Sequence, residues 1–267
     1  MFPMLSSLFL TILFAEVNCF SIRTSASESR RAFLDNVIAT TTTGALLTSI
    51  IIPQPAEAIG GKSKVNNKLL GFGLPPALIP DGLTPVCHIY GTGKNRFPIL
   101  VTFSHPFDWV VTLPNNDSNG EDGTIQAGEY GKGDTATFFV YDQLGNVKDI
   151  ESQDKSFFER AIIAAISQKG SNVYQNFKVT NITPTKGEYR NQKYMIVDFR
   201  YELLTGAGFE VDRRGVASIT SEGAAVEVLW TATTRQRFKK LEPTLRDIAG
   251  SFRCYTDGLN FSEELMA

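Results

Sequence analysis

Four strand-like runs between residues 177 and 234 constrain the fold of this chain more than any other feature. Each run is rich in β-branched and aromatic residues, as in KYMIVDFRYEL (193–203) and AAVEVLWTATT (224–234). The breaks between the runs contain glycines: Gly187, Gly206, Gly208 and Gly223. Such runs, separated by glycine-containing turns, are typical of antiparallel hairpins. Shorter runs of the same kind occupy residues 97–106, 109–114 and 135–142. The sequence therefore predicts a largely antiparallel sheet.

Two amphipathic helices accompany these strands. The spacing Ser-x-x-Glu from Ser156 predicts a helix start by a capping box, and Gly170 predicts its end. Pro243 lies inside the second helical pattern and predicts that this helix starts or kinks there. Its apolar residues recur at steps of three and four: Phe238, Leu241, Leu245, Ile248 and Phe252. Strands, a helix, more strands and a last helix indicate an α+β fold, with helices packed on an antiparallel sheet.

Composition narrows the class of protein without identifying a function. Hydrophobic residues make up 42% of the 267 residues, which is enough for a globular core. The formal net charge is −2, so no overall positive field favours nucleic acid or an anionic membrane surface. No nucleophile, base and acid stand in a recognisable catalytic pattern. We therefore expect a protein that is not an enzyme and does not bind nucleic acid.

The first 58 residues are predicted to be a targeting leader in three parts. Residues 1–19 contain a short apolar core typical of a signal peptide, and residues 20–28 are Ser-rich and basic, like a transit segment. Residues 29–58 begin with SRRAFL, continue through a mildly apolar run and end in Ala-Glu-Ala, which is the pattern of a twin-arginine export signal. The alternative is a surface arginine pair before a core or transmembrane helix, which four consecutive threonines disfavour.

The chain that remains after this leader divides into three segments. Residues 59–96 are rich in Gly, Pro and Lys with little periodicity, and they are predicted to form an extended arm. Residues 97–256 contain the strands and helices and form one predicted domain, and residues 257–267 form a tail.

The end of this domain resembles the PsbP-domain family. The basis is an R-x-x-x-K-K-x-x-x-x-L-x-x-I-x-x-S-F pattern that runs from Arg235 to Phe252, together with an aromatic-x-x-P-x-x-W segment through Phe103, Pro106 and Trp109. The resemblance covers about 97–256 and implies a PsbP-like α/β/α sandwich with a central antiparallel sheet. It also implies a non-catalytic, extrinsic thylakoid-lumen protein that supports photosynthesis at the oxygen-evolving complex of photosystem II, or in photosystem assembly or stability.

The leader points to the same compartment. Its three parts resemble the leaders of lumenal proteins in algae with secondary plastids, in which an aromatic residue follows signal-peptide cleavage, as Phe20 follows Cys19 here. The expected location is the thylakoid lumen of the chloroplast, peripheral to the membrane. The expected partners are lumenal surfaces of photosystem II or photosystem I, and the protein is expected to be a monomer.

Basic residues near the C-terminus are the candidate partner-binding site: Arg213, Arg214, Arg235, Arg237, Lys239 and Lys240. Strand alternation sends Arg213 and Arg214 to opposite faces of the sheet. Arg235 and Lys239 are four residues apart and share a helix face. The functional hypothesis is a docking surface for acidic lumenal loops. The alternative is simple solvation of a helix start.

Two groups of residues are candidate metal ligands, although no cofactor is required by the hypothesis above. His88, His105 and Asp108 offer the ligands of a divalent ion such as Mn²⁺. The loop with Asp117, Glu121 and Asp122 has oxygen donors suited to Ca²⁺, but it lacks the Gly and the last Glu of an EF-hand, which favours a solvated loop. The alternative function is therefore a lumenal calcium, manganese or small-ligand binding protein.

Cys87 and Cys254 are the cysteines that remain after the leader. The lumen permits disulfides, and the ends of a domain often lie close together, so the two could form one. Two separate buried thiols are the alternative.

Overall fold

The computed structural model describes residues 61–91, 98–114, 124–141, 147, 149–167, 173–205, 208–221, 225–256 and 259–261. The predicted leader lies outside these residues. Within them there are three α-helices: α1 (Lys62–Gly71), α2 (Lys155–Ile166) and α3 (Arg235–Ser251). None of these helices is long and apolar enough to cross a membrane. Short 3-10 turns occupy Tyr130–Lys132 and Ile150–Ser152.

The same residues form ten strands. They are β1 (Leu83–Tyr90), β2 (Ile99–Pro106), β3 (Val110–Thr112), β4 (Gln126–Glu129), β5 (Asp134–Tyr141), β6 (Val173–Lys186), β7 (Lys193–Leu204), β8 (Glu210–Thr220), β9 (Val226–Thr234) and β10 (Arg253–Tyr255). Seven of them form a large sheet in the order β3-β4-β5-β9-β8-β7-β6, and three form a small sheet in the order β1-β2-β10. Every pair within the two sheets is antiparallel, as predicted.

Helix α2 covers one face of the large sheet. Its Phe158 and Ile162 are buried and share a core with Val197 of β7, Ile219 of β8 and Val228 of β9. Alternate residues of each strand reach this core because side chains in a strand point to opposite faces in turn.

Helix α3 and the small sheet cover the opposite face. Leu245 and Ile248 of α3 share a second core with Phe103 of β2, Phe138 of β5 and Leu229 of β9. The large sheet therefore lies between helices on both faces. The predicted α+β class, an α/β/α sandwich around a central antiparallel sheet, is confirmed.

The described residues 61–91 correct the prediction of an extended arm over residues 59–96. They contain α1 and β1, and β1 pairs with β2 over its whole length, so the folded unit begins before residue 97. Val65 and Leu69 form one short apolar stripe on α1 that packs on the outer face of the small sheet. The sequence obscures both elements because the rest of α1 is polar except for the exposed Leu70, and because β1 contains Pro85. A proline is tolerated there because β1 is an edge strand.

The two remaining predictions about helix ends and the tail are also corrected. Asp154 caps α2, accepting a hydrogen bond from the Phe157 N–H at 2.9 Å, while Ser156 donates its hydroxyl hydrogen to Asp154 instead of acting as the cap. Helix α3 begins at Arg235, well before Pro243. Of the tail, Phe261 is buried, and its ring centroid lies 5.5 Å from that of Phe72. The described part of the tail therefore belongs to the fold.

Candidate functional site

The first six residues of α3, Arg235–Lys240, carry four basic side chains. No acidic residue stands in the first turn, and the preceding Thr234 makes no side-chain capping bond. The N-terminus of a helix has a partial positive charge, so cations are disfavoured there by the helix dipole. The helix start is therefore more positive than local stability favours.

Lys239 and Lys240 are two exposed members of this group. Both are exposed, and neither forms an ion pair within the described part of the chain. Arg235 is also exposed and donates a hydrogen bond to Asp212 at 3.1 Å. A solvent-exposed pair of this kind contributes little to stability. We call Arg235, Lys239 and Lys240 the helix-start surface.

Arg237 has a different role from its neighbours. It donates two hydrogen bonds to the Asp134 carboxylate, at 2.6 and 3.2 Å, and only 2% of the Asp134 side chain is exposed. Thr233 donates a third hydrogen bond to the same carboxylate at 2.6 Å. These hydrogen bonds with Asp134 raise the pKa of Arg237 above its ordinary value. Arg237 therefore anchors α3 to β5 and is committed to the fold.

Arg213 and Arg214 point to opposite faces of the large sheet, as predicted. Arg213 donates to the backbone carbonyls of Gly133 and Ala232, and its guanidinium carbon lies 5.9 Å from the centroid of the Tyr201 ring. Arg214 faces α3, with its guanidinium carbon 5.8 Å from the centroid of the Phe238 ring. Arg213 is thus a structural side chain, while Arg214 lies on the same side of the sheet as the helix-start surface.

The structure does not bring His88 and His105 together. Both lie in the small sheet, but His88 on β1 is opposite Val101, and His105 is four residues farther along β2. At about 3.4 Å per residue, this is a separation of about 13 Å. Asp117, Glu121 and Asp122 lie outside the described residues. Within the described residues, no group of three or more His, Cys, Asp or Glu side chains could hold a metal ion.

Asp108 lies apart from these histidines, in the turn between β2 and β3. It lines an open cleft of about 320 Å³ that is bounded by β2, β4, β5 and α3. Asp81, Glu129, Asp134 and Arg237 line the same cleft, and Asp134 and Arg237 are bonded to each other. Neither His88 nor His105 lines the cleft, so it does not join Asp108 to a histidine.

His105 predicts a pH dependence of stability. The side chain is buried, and burial lowers the pKa of His105 below its ordinary 6.5, although a hydrogen bond of 2.9 Å between Nδ1 and the carbonyl oxygen of Pro106 acts in the opposite direction. Below pH 6.5 the unfolded chain consequently binds a proton that the folded chain resists. We expect the free energy of unfolding to fall as the pH is lowered from above 6.5, until the folded state is protonated too.

Urea unfolding at a series of pH values measures this effect. The His105→Asn variant keeps an N–H donor near the Pro106 carbonyl but does not titrate, so its stability should fall less over the same pH range. An NMR titration in which His105 of the folded protein shows an ordinary midpoint would contradict the prediction.

The structure keeps Cys87 and Cys254 as separate thiols, the alternative to the predicted disulfide. Cys87 in β1 is opposite Thr102, Cys254 in β10 is opposite Val101, and β2 lies between them. Two strand spacings are about 10 Å, which exceeds the roughly 7 Å limit on the Cα separation of a disulfide. The two side chains also face different cores, since Cys87 packs with the α1 layer and Cys254 packs with α3.

Sequence reasoning missed two basic residues that stand beside Arg214. Arg200 of β7 is directly opposite Arg214, and Lys178 of β6 is directly opposite Arg200. Polar and apolar residues alternate along part of β7, and this pattern was a sequence signal for the face on which Arg200 lies. Lys178 reaches this face only because of a β-bulge. The only sequence signal for the bulge is Asn176, a residue type that tolerates a left-handed backbone, and this signal is weak.

Comparison with solved structures gives a distant similarity. The chain is similar to the solution structure of cyanobacterial PsbP (CyanoP) from Synechocystis sp. PCC 6803, with 14% sequence identity, a TM-score of 0.44, and coverage of 69% of this chain and 99% of that chain. No protein-family model and no curated protein matches the sequence. The site described above therefore rests on the residues of this chain alone.

Proposed function

We propose that this chain is a non-catalytic, extrinsic protein of the thylakoid lumen that associates with the lumenal side of a photosystem. The observation that carries the proposal is the helix-start surface, in which Arg235, Lys239 and Lys240 are all exposed. Arg235 lies in the first turn of α3, where the helix dipole disfavours a cation, and neither lysine forms an ion pair within the described residues. The leader pattern and the sequence resemblance to PsbP domains supply the compartment and the kind of partner. The proposed function does not require a bound cofactor.

The chemistry of the helix-start surface favours an acidic protein partner. Lysine ammonium groups on long side chains form charge-assisted hydrogen bonds with carboxylates, and such pairs accelerate association and are screened by salt. Arg237 and Arg213 do not contribute, because their guanidinium groups are bonded within the domain. Of the six candidate residues, the docking hypothesis therefore keeps Arg235, Lys239 and Lys240. Arg214 lies on the same side of the sheet.

Charge reversal at Lys239 and Lys240 tests the docking role. We expect the Lys239→Glu/Lys240→Glu variant to lose most of its binding to salt-washed thylakoid membranes in a sedimentation assay, because the attraction to acidic lumenal surfaces becomes repulsion. The wild-type binding should also weaken as salt is added. The variant should unfold at about the same temperature as wild type, because both side chains are exposed and surface substitutions usually change stability little.

Lys155 and Arg160 provide a matched control. Both are exposed residues of α2, on the other face of the large sheet, so Lys155→Glu/Arg160→Glu makes the same change in net charge at a different place. If both double variants lose binding equally, the effect follows net charge and the helix-start surface is not the docking site. If neither loses binding, the proposed role of this surface is wrong.

A further inference from the structure

Three cations form a row across the α3 face of the large sheet, and we call it the cation row. Lys178, Arg200 and Arg214 occupy adjacent strands β6, β7 and β8, and the register pairs Lys178 with Arg200 and Arg200 with Arg214. Side chains directly opposite each other in antiparallel strands have Cβ atoms about 4.5–5.5 Å apart, and like charges in these positions are destabilising. The arrangement therefore lowers stability unless an anion is bound to it.

A β-bulge in β6 creates this row. The register shifts between Gln175 and Lys178, and Asn176 within the shift has a φ of 52°, in the left-handed region. The Asn176 side chain donates a hydrogen bond to Glu202 at 2.6 Å and holds the bulge in place. Without the extra residue, Lys178 would be opposite Phe199 and would face the α2 core, so the bulge is what places its ammonium group beside Arg200.

The carboxylates around the cation row are already bound by other side chains. Asp198 accepts hydrogen bonds from Arg246, with an ion-pair distance of 3.0 Å. Glu202 is bonded to Asn176, and Asp212 to Arg235. In the part of the chain that the structure describes, no ion pair involves Lys178, Arg200 or Arg214. Asn176 is neutral and leaves the charge of Glu202 in place, so the three cations stand beside one carboxylate that is not in an ion pair within the described residues.

The cation row lies where two open clefts meet, and Arg235 of the helix-start surface also lines the first of them. The clefts have volumes of about 490 and 520 Å³, and all three cations line both of them. Lys178 and Arg200 are exposed, whereas Arg214 is half-buried with its guanidinium group held beside the Phe238 ring. A ligand can therefore reach the row from solvent and contact one cation that is already oriented.

We propose that the cation row is a binding site for a phosphate group. A phosphate carries a charge of about −1.5 to −2 and three acceptor oxygens, so one phosphate offsets more of the row's charge than one carboxylate does. The two arginines present planar forks that match phosphate oxygens in bidentate pairs, and the lysine supplies a point charge at the end of the row. The site goes beyond the proposed docking role, since Lys178 and Arg200 lie on β6 and β7 and are not members of the helix-start surface.

The phosphate group that binds can belong to a soluble phosphate compound or to the headgroup of a phospholipid. Calorimetric titration of the full-length chain with inorganic phosphate and with pyrophosphate, at constant ionic strength, tests the first. Flotation with phosphatidylglycerol vesicles, against phosphatidylcholine vesicles, tests the second. Saturable binding in either arm that depends on the row supports the proposal, and the arm in which it occurs identifies the source.

Arg200→Gln is the test variant, and Arg160→Gln on α2 is the control with the same change in charge. We expect Arg200→Gln to weaken binding at least tenfold and Arg160→Gln less than twofold. Removing one like charge should also leave the unligated Arg200→Gln protein at least as heat-stable as wild type, which shows that it is folded. Lys178→Gln is a second test of the same kind. Absence of binding in both arms, or equal weakening in the Arg200 and Arg160 variants, overturns the proposal.

Discussion

The Phe252→Ala variant is expected to be less stable than wild type by about 3–5 kcal/mol, the largest loss that a single core substitution in this protein should produce. The Phe252 ring is fully buried, with its centroid 5.9 Å from that of Phe138 and 6.0 Å from that of Tyr194. It stands between the end of α3 and β10, so it packs α3 and the small sheet against the large sheet. Its removal leaves a cavity where three layers meet.

Chemical denaturation followed by tryptophan fluorescence measures this loss as a change in the free energy of unfolding. Phe209→Ala is the matched control, because the Phe209 side chain is 70% exposed and should change that free energy by less than about 0.5 kcal/mol. A loss below 1 kcal/mol for Phe252→Ala would mean that the layers are not joined through this ring.

The second large effect is expected at Arg237. Arg237→Ala leaves the Asp134 carboxylate, of which 2% is exposed, without its charged donor. Breaking a fully buried pair in this way costs about 3–5 kcal/mol, but the Arg237 side chain is 39% exposed, so water can replace part of the interaction. We therefore expect the free energy of unfolding to fall by about 2–3 kcal/mol.

Arg235→Ala provides the comparison for Arg237→Ala. The two arginines are two residues apart at the same helix start, but Arg235 bonds to an exposed Asp212 and should contribute less than about 1 kcal/mol. Urea unfolding of both variants separates the anchor from the exposed surface. Equal effects would contradict the division of the basic cluster into a structural residue and a docking residue. A double-mutant cycle with Asp134→Ala isolates the pair itself.

Much of the fold could be predicted from the sequence because local patterns and tertiary packing agree. Leu245, Ile248 and Phe252 recur at helical spacing, and all three are buried. The runs that were predicted to be strands form β7, β8 and β9, and these pair in sequence order. Helix α1 was missed because, apart from the exposed Leu70, its apolar residues are Val65 and Leu69, which are too few to mark a helix by periodicity alone. They became buried through contact with a sheet that lies elsewhere in the sequence.

The site was harder to predict, since long-range contacts decide which charges are exposed. Arg235 and Arg237 look alike in sequence, yet only Arg237 meets a buried carboxylate, and Asp134 is about a hundred residues away along the chain. Lys178 joins Arg200 through a bulge whose position follows from the pairing of β6 with β7. Cys87 and Cys254 lie in one sheet, which agrees with the expectation that the ends of a domain lie close together, but β2 separates them. Each of these differences between prediction and structure depends on which strands are neighbours, and no local stretch of sequence encodes strand order.

Native gel separation of solubilised thylakoid membranes, followed by detection of this protein, tests the central claim most directly. An extrinsic photosystem-associated protein should migrate with a photosystem complex or with one of its assembly intermediates, and a high-salt wash before solubilisation should release it. The photosystem whose subunits comigrate then identifies the partner. Recovery of the protein solely at the size of a monomer from unwashed membranes, or outside the thylakoid fraction, would contradict the account.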